Sequence, residues 1–146
     1  MTPIQQLYLG VGAKKKTYMD DVFSTYLWKG TGSSQTINNG IDLAGEGGLV
    51  WTKARTIGDN HALMDSARKT GTYYDEISSS ATYAQQTSRN WGISSLNNNG
   101  FTLGGSDNQF NSSGATYASW TFRKAKGFFD VVTWTGNSDT NQTISH

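Results

Sequence analysis

The run Ser106-Asp107-Asn108-Gln109-Phe110-Asn111 gathers side-chain oxygens in one stretch, a donor set of the kind hard cations take. Calcium needs about six to eight oxygens, so Asp107, Asn108 and Asn111 supply too few unless backbone carbonyls or distant side chains join them. The same residue types form Asx turns, in which a short side chain bonds its own backbone. No metal site and no cofactor are expected. Catalytic constellations are equally thin. Glu46 and Glu76 are the two glutamates, and no Glu-x-Asp-x-x-Glu pattern pairs carboxylates across a cleft as glycosidic hydrolysis requires. Asp20-Asp21 and Asp75-Glu76 are adjacent, so on a strand their side chains point to opposite faces; they read as solvated turn charges. His61 and Asp65 compose a triad with a serine only on paper, because no Gly-x-Ser-x-Gly turn accompanies them. Gly45-Glu46-Gly47-Gly48 lacks the Lys-Ser/Thr that would complete a phosphate cradle. With no cysteine there is no thiol nucleophile. The chain is not expected to be an enzyme.

Aromatic residues offer a binding chemistry instead. Tyr73, Tyr74, Tyr83 and Trp91, with Phe110 and Trp134, are rings that, if exposed, could stack on sugar faces. Trp28, Trp51 and Trp120 lie inside strand-like alternation and are assigned to the core.

The elements that must position these residues are strands. Hydrophobic residues make up 35% of the chain and charged ones 16%, too little Leu, Ala, Glu and Lys for helical bundles. An aromatic content of 12% supplies the anchors that disordered chains lack. Short strands are expected at Phe23–Trp28, Gln35–Asn38, Leu49–Arg55, His61–Ala67, Thr72–Tyr74, Trp91–Leu96, Phe101–Gly104 and Ala115–Phe122, with Gly and Asn turns between them. Glu76–Asn90 is a polar stretch without a clear period. Strands at such spacing indicate an all-β sandwich or jelly roll. The net charge of +1 gives no field that would select nucleic acid. No apolar run approaches the ~20 residues of a membrane span, so membrane insertion is not expected.

Residues 1–21 differ from the rest. Ile4, Leu7, Tyr8 and Val11 follow helical spacing on one face, and Lys14, Lys15 and Lys16 end the pattern. Such a segment suits docking onto another subunit, the basic tail meeting an acidic neighbour. Farther along, Phe23-Ser24-Thr25-Tyr26-Leu27-Trp28-Lys29-Gly30 reappears as Phe129-Asp130-Val131-Val132-Thr133-Trp134-Thr135-Gly136, about 106 residues on. After one extra turn residue, Gln35-Thr36-Ile37 matches Gln142-Thr143-Ile144. The expected organisation is therefore an attachment segment at 1–21, a β-sandwich domain at 22–126, and at 127–146 the opening hairpin of a second, truncated repeat of a longer chain. The alternative is that 128–146 closes the first sandwich.

The order of motifs resembles a known family. An aromatic strand with a GTGSSQTI turn is followed by GGLVWTKAR, HALMDSAR, NNNGFTLGGSDNQFNSSGATYASWTF and FFDVVTWTGNSDTNQTISH. This series, over 22–146, is similar to the tandem β-domain of marine phage (cyanophage-type) tail and virion structural proteins. The leader MTPIQQLYLGVGAKKK also resembles theirs. The resemblance implies a concanavalin A-like jelly roll of two antiparallel sheets and a place in the virion, as a tail fibre or tail appendage. It implies other tail proteins as partners and a homo-oligomer, a trimer being common among fibres. A lectin-like module for host surface glycan and a capsid decoration protein are the alternatives.

Overall fold

Alternation along two strands sets the architecture. In β3 (Gly48–Ala54) the residues Gly48, Val50, Thr52 and Ala54 are buried, while Leu49, Trp51 and Lys53 are half-buried. In β8 (Thr116–Arg123) Tyr117, Ser119 and Thr121 are buried and the intervening residues less so. One face of each strand is thus committed to a core, as a period of two demands. The computed structural model describes residues 16–87, 89–138 and 140–146. A single helical turn, α1 (Met19–Val22), leads into β1 (Phe23–Lys29). There follow β2 (Gln35–Asn38), β3, β4 (Ala62–Thr70), β5 (Tyr73–Ile77), β6 (Ile93–Asn97), β7 (Gly100–Leu103) and β8. A five-stranded sheet runs β1-β8-β3-β4-β5 and a three-stranded sheet runs β2-β7-β6, with every pairing antiparallel. Each expected strand up to Phe122 overlaps an observed one, although β5 runs on through Asp75 and Glu76. No helix among the described residues is long and apolar enough to cross a membrane.

The two sheets pack through complementary sizes. The large sheet turns Trp28, Tyr117, Val50 and Met64 inward among small side chains (Thr52, Ala54, Ala62, Ser119), and the small sheet answers with Ile37, Ile93, Phe101 and Leu103. Interdigitation of this kind reaches the packing density of protein interiors. Thr121 is buried without penalty because Asn39 Nδ2 donates to its Oγ1 at 2.8 Å. Gly100 takes a φ of +132°, and a Cβ there would stand 2.0 Å from the Ile37 carbonyl oxygen. The Asn-rich turn before β7 therefore closes against β2 only with glycine at its end.

Trp28 lies at the centre of the core. Its ring stacks on Tyr117 (5.4 Å between centroids) and meets Phe101 edge-on at 6.0 Å, spanning the sheets. Its indole N–H donates to the Phe110 carbonyl at 3.1 Å, which fixes the loop before β8. Trp51 and Trp120, expected in the core with it, are not there. Both alternate out of phase with buried residues and project from the opposite, outer side of the five-stranded sheet. Small side chains take the inner positions of these strands (Thr52, Ala54, Ser119, Thr121), and the tryptophans fall on the alternate face. Residues 129–136 add no strand to either sheet. Apart from an isolated bridge between Ala125 and Phe129, they pass over that outer side. Trp28→Ala is expected to cost about 3–5 kcal/mol, and Trp120→Ala about half as much, measured as shifts in urea midpoint at unchanged m-value.

Candidate binding face

Register across the five-stranded sheet assembles an outer surface row by row. Thr25, Trp120, Trp51, Leu63 and Ile77 stand side by side from β1 to β5. The next row is Phe23, Phe122, Leu49 and Asp65, and the row on the other side holds Leu27, Ala118 and Lys53. Antiparallel sheets with one solvated face normally alternate apolar-in and polar-out. Here the solvent side is mostly apolar. Trp51 and Trp120 lie 5.6 Å apart, tilted at 52°, and Phe23 packs on Phe122 at 5.0 Å. Leu27 is 62% exposed at the edge.

Part of this face is covered from within the chain. Phe129 sits on Phe122 at 5.3 Å, and Lys124 pairs with Asp130 at 2.9 Å. Residues 129–134 then border a groove of about 460 Å³ with Leu49, Leu63, Ile77, Asp65, Arg68 and Gln85. Arg68 pairs with the buried Asp65 and donates to Gln85 Oε1 at 3.4 Å. Beside the open half, the Trp51 indole N–H donates to His61 Nδ1 at 2.9 Å, which requires a neutral imidazole. Burial, then the Lys53 ammonium, hold the His61 pKa below its ordinary value.

The rings expected to grip sugar lie elsewhere. Tyr73 lies against Gly104, where a Cβ would meet its ring at 2.4 Å. Tyr74, on the opposite face of β5, packs on the core with the Lys69 ammonium 4.5 Å above it. Tyr83 and Trp91 are brought together by a buried polar network. Glu76, fully buried, pairs with Arg89 at 3.1 Å and accepts from Tyr83 Oη (2.9 Å) and Gln109 Nε2 (3.0 Å). Arg89 lies 4.0 Å over the Trp91 ring. Burial, with the Glu76 carboxylate adding to it, raises the Tyr83 phenol. Phe110 is core, while Tyr83 is 39% and Trp134 65% exposed.

Asp75 and Glu76, read as solvated turn charges, are both buried, which corrects that expectation. Their side chains do point to opposite sides: Asp75 binds the Thr70 hydroxyl (2.9 Å) and Gln85, and Glu76 faces Arg89. The signal missed was Arg89 itself, the one cation of the polar stretch 76–90, whose partner Glu76 opens that stretch on β5. Asp107 Oδ1 accepts the Gln109 amide at 2.8 Å, an Asx turn, and burial raises its carboxyl pKa. Asn111 is fully buried and spends its amide on Thr31 N–H, the Ser33 carbonyl and the Gly104 carbonyl. Asn108 gives its backbone carbonyl to Tyr117 Oη at 3.1 Å. Among the described residues no three His, Cys, Asp or Glu side chains gather around a metal-sized space. Lys16 is exposed; Ile4, Leu7, Tyr8, Val11, Lys14 and Lys15 lie outside the described residues.

Two measurements test this arrangement. Arg89 Nε and the Trp91 indole N–H are buried without partners, so the network is only partly satisfied. Glu76→Gln is expected to cost about 3–5 kcal/mol by stranding the Arg89 charge, while adding Arg89→Met recovers part of that loss in a double-mutant cycle. For His61 the sign follows from its depressed folded pKa: stability is complete above the unfolded value of roughly 6.5 and falls as pH drops through the folded one. A Tm series from pH 8 to 5, with His61→Gln lacking that component, checks it.

No curated protein and no solved structure matches the chain. Residues 19–146, which include α1, all eight strands and the stretch crossing the outer face, match the family described as Domain of unknown function (DUF7483). The chain belongs to that family.

Proposed function

We propose that this chain is a non-catalytic building block of a phage particle, a concanavalin A-like jelly roll serving in a tail fibre or tail appendage. The outer face of the five-stranded sheet carries this reading. A surface set with Phe23, Leu27, Leu49, Trp51, Leu63, Trp120 and Phe122 is of the kind that marks interaction sites. Buried carboxylates support it too, since Glu76, Asp75 and Asp65 are each tied to a structural partner. The partners proposed are other tail proteins and further copies of the chain, in a trimer, with residues 1–21 as the attachment to the virion. A capsid decoration protein would use the same face and differ only in where it attaches.

A second reading has its own observation. The groove under residues 129–134 sets the exposed Trp134 and the aliphatic Leu63 and Ile77 beside Arg68 and Gln85. Ring faces flanked by hydroxyl-binding groups are what a sugar-binding module offers, here toward host surface glycan.

Sedimentation of the whole chain separates the two. Assembly through the outer face predicts concentration-dependent association that Trp120→Lys weakens at least about tenfold, a cost of roughly 1.4 kcal/mol. A monomer at all concentrations, together with selective glycan-array binding lost in Arg68→Ala, would replace the assembly reading with the lectin one.

A further inference from the structure

We infer that residues 128–136 are a spare first strand, built to complete the five-stranded sheet of a further sandwich of this same fold. The inference rests on the assembly reading and names the joint it uses. Superposing the repeat puts Phe128 at Val22, the last residue of α1, and Val132 and Trp134 at Tyr26 and Trp28 on the inner side of β1. Val22 and Trp28 are buried at 2% and 7%, whereas Phe128 and Trp134 are 38% and 65% exposed. At these two positions the segment leaves in water what its counterparts hide; Val132 is half-buried where Tyr26 is 37% exposed. Phe129, at an outer position of the strand, is the one that packs on Phe122.

Glycine gives an independent sign. Two residues after Trp28, a Cβ on Gly30 would stand 2.2 Å from the Ser112 carbonyl oxygen, so the slot that holds the tryptophan also demands glycine there. The copy keeps it as Gly136. In its own surroundings Gly136 has nothing within 4 Å of a would-be Cβ, so no contact it makes in this structure requires it. Ile144 then corresponds to Ile37, which β2 buries at 2% in the other sheet. Asp130 falls at Ser24, opposite Thr121; that hydroxyl accepts from Asn39 and retains its own proton to donate.

The partner is therefore a sandwich presenting an open β8 edge, a stacked pair like Tyr117 and Phe101 for the indole, and a carbonyl like that of Phe110 for its N–H. Strand addition of this sort takes its affinity from main-chain hydrogen bonds and its specificity from alternate side chains. Four residues, Lys124 to Gly127, separate β8 from the segment, so successive sandwiches would follow one another closely.

The test appends a second copy of residues 40–126 after His146 of the whole chain, leaving 128–144 as the sole source of a first and second strand for it. Amides of 129–134 are expected to gain roughly a hundredfold or more in hydrogen-exchange protection. Trp134→Asp should abolish that gain and unfold the appended unit, leaving β1 to β8 protected. An appended unit that stays unprotected, or is equally protected with Trp134→Asp, would overturn the inference. So would a dimer of the unextended chain with 129–134 already protected, which would assign the strand to exchange between copies. Trp120→Lys keeps the two tests apart, because it weakens association through the outer face and leaves a dimer made by strand exchange intact.

Discussion

One indole holds the two sheets and a loop in register. Trp28 reaches from an edge strand across Tyr117 to Phe101 on the opposite sheet and hydrogen-bonds the chain at Phe110. An aromatic ring brings a large apolar area to such a contact, and its N–H must find an acceptor when buried. Satisfying both conditions ties β1, β7, β8 and the loop before β8 together. The close approach of Gly30 to Ser112 is part of the same constraint, because the chain must turn away from the loop at once after the tryptophan.

Around that anchor the molecule resolves its polar atoms mostly by self-satisfaction. Asn111 closes three backbone groups of two turns, and Asn39 answers the hydroxyl of Thr121. Glu76 and Arg89 are more costly, since both charges leave water and part of the network lacks partners. The pair joins β5 to the loop that follows it, where few apolar contacts are available. The stretch after β5 is thereby fastened by charge, by Trp91 and by one isolated antiparallel bridge between Glu76 and Gln86.

The outer face sets this sandwich apart from one that merely hides its core. Its rows of aromatic and aliphatic side chains are half screened by 129–134, and the remainder is open to a neighbour. The screening segment repeats β1 in sequence without reproducing its fold here. Without a strand edge to pair with, the segment leaves its backbone to solvent and rests on the apolar outer face through Phe129.

Strand positions, the Gly and Asn turns and the Phe23/Phe129 repeat were legible in the residues alone, because period two and turn chemistry are local. Tertiary structure alone decided which side of Trp51 and Trp120 faced the core, since the inner side carries small and polar residues (Thr52, Ser119, Thr121) whose burial depends on the sheet stacked over them. It likewise decided that Asp75 and Glu76 are buried, since their partners Thr70, Gln85 and Arg89 come from other segments. The same holds for Tyr73, Tyr74, Tyr83 and Trp91, whose ring types announce a binding chemistry but whose exposure depends on neighbours far along the chain. Local pattern specifies which elements form; burial is a property of what they pack against, and that is set by contacts between residues distant in sequence.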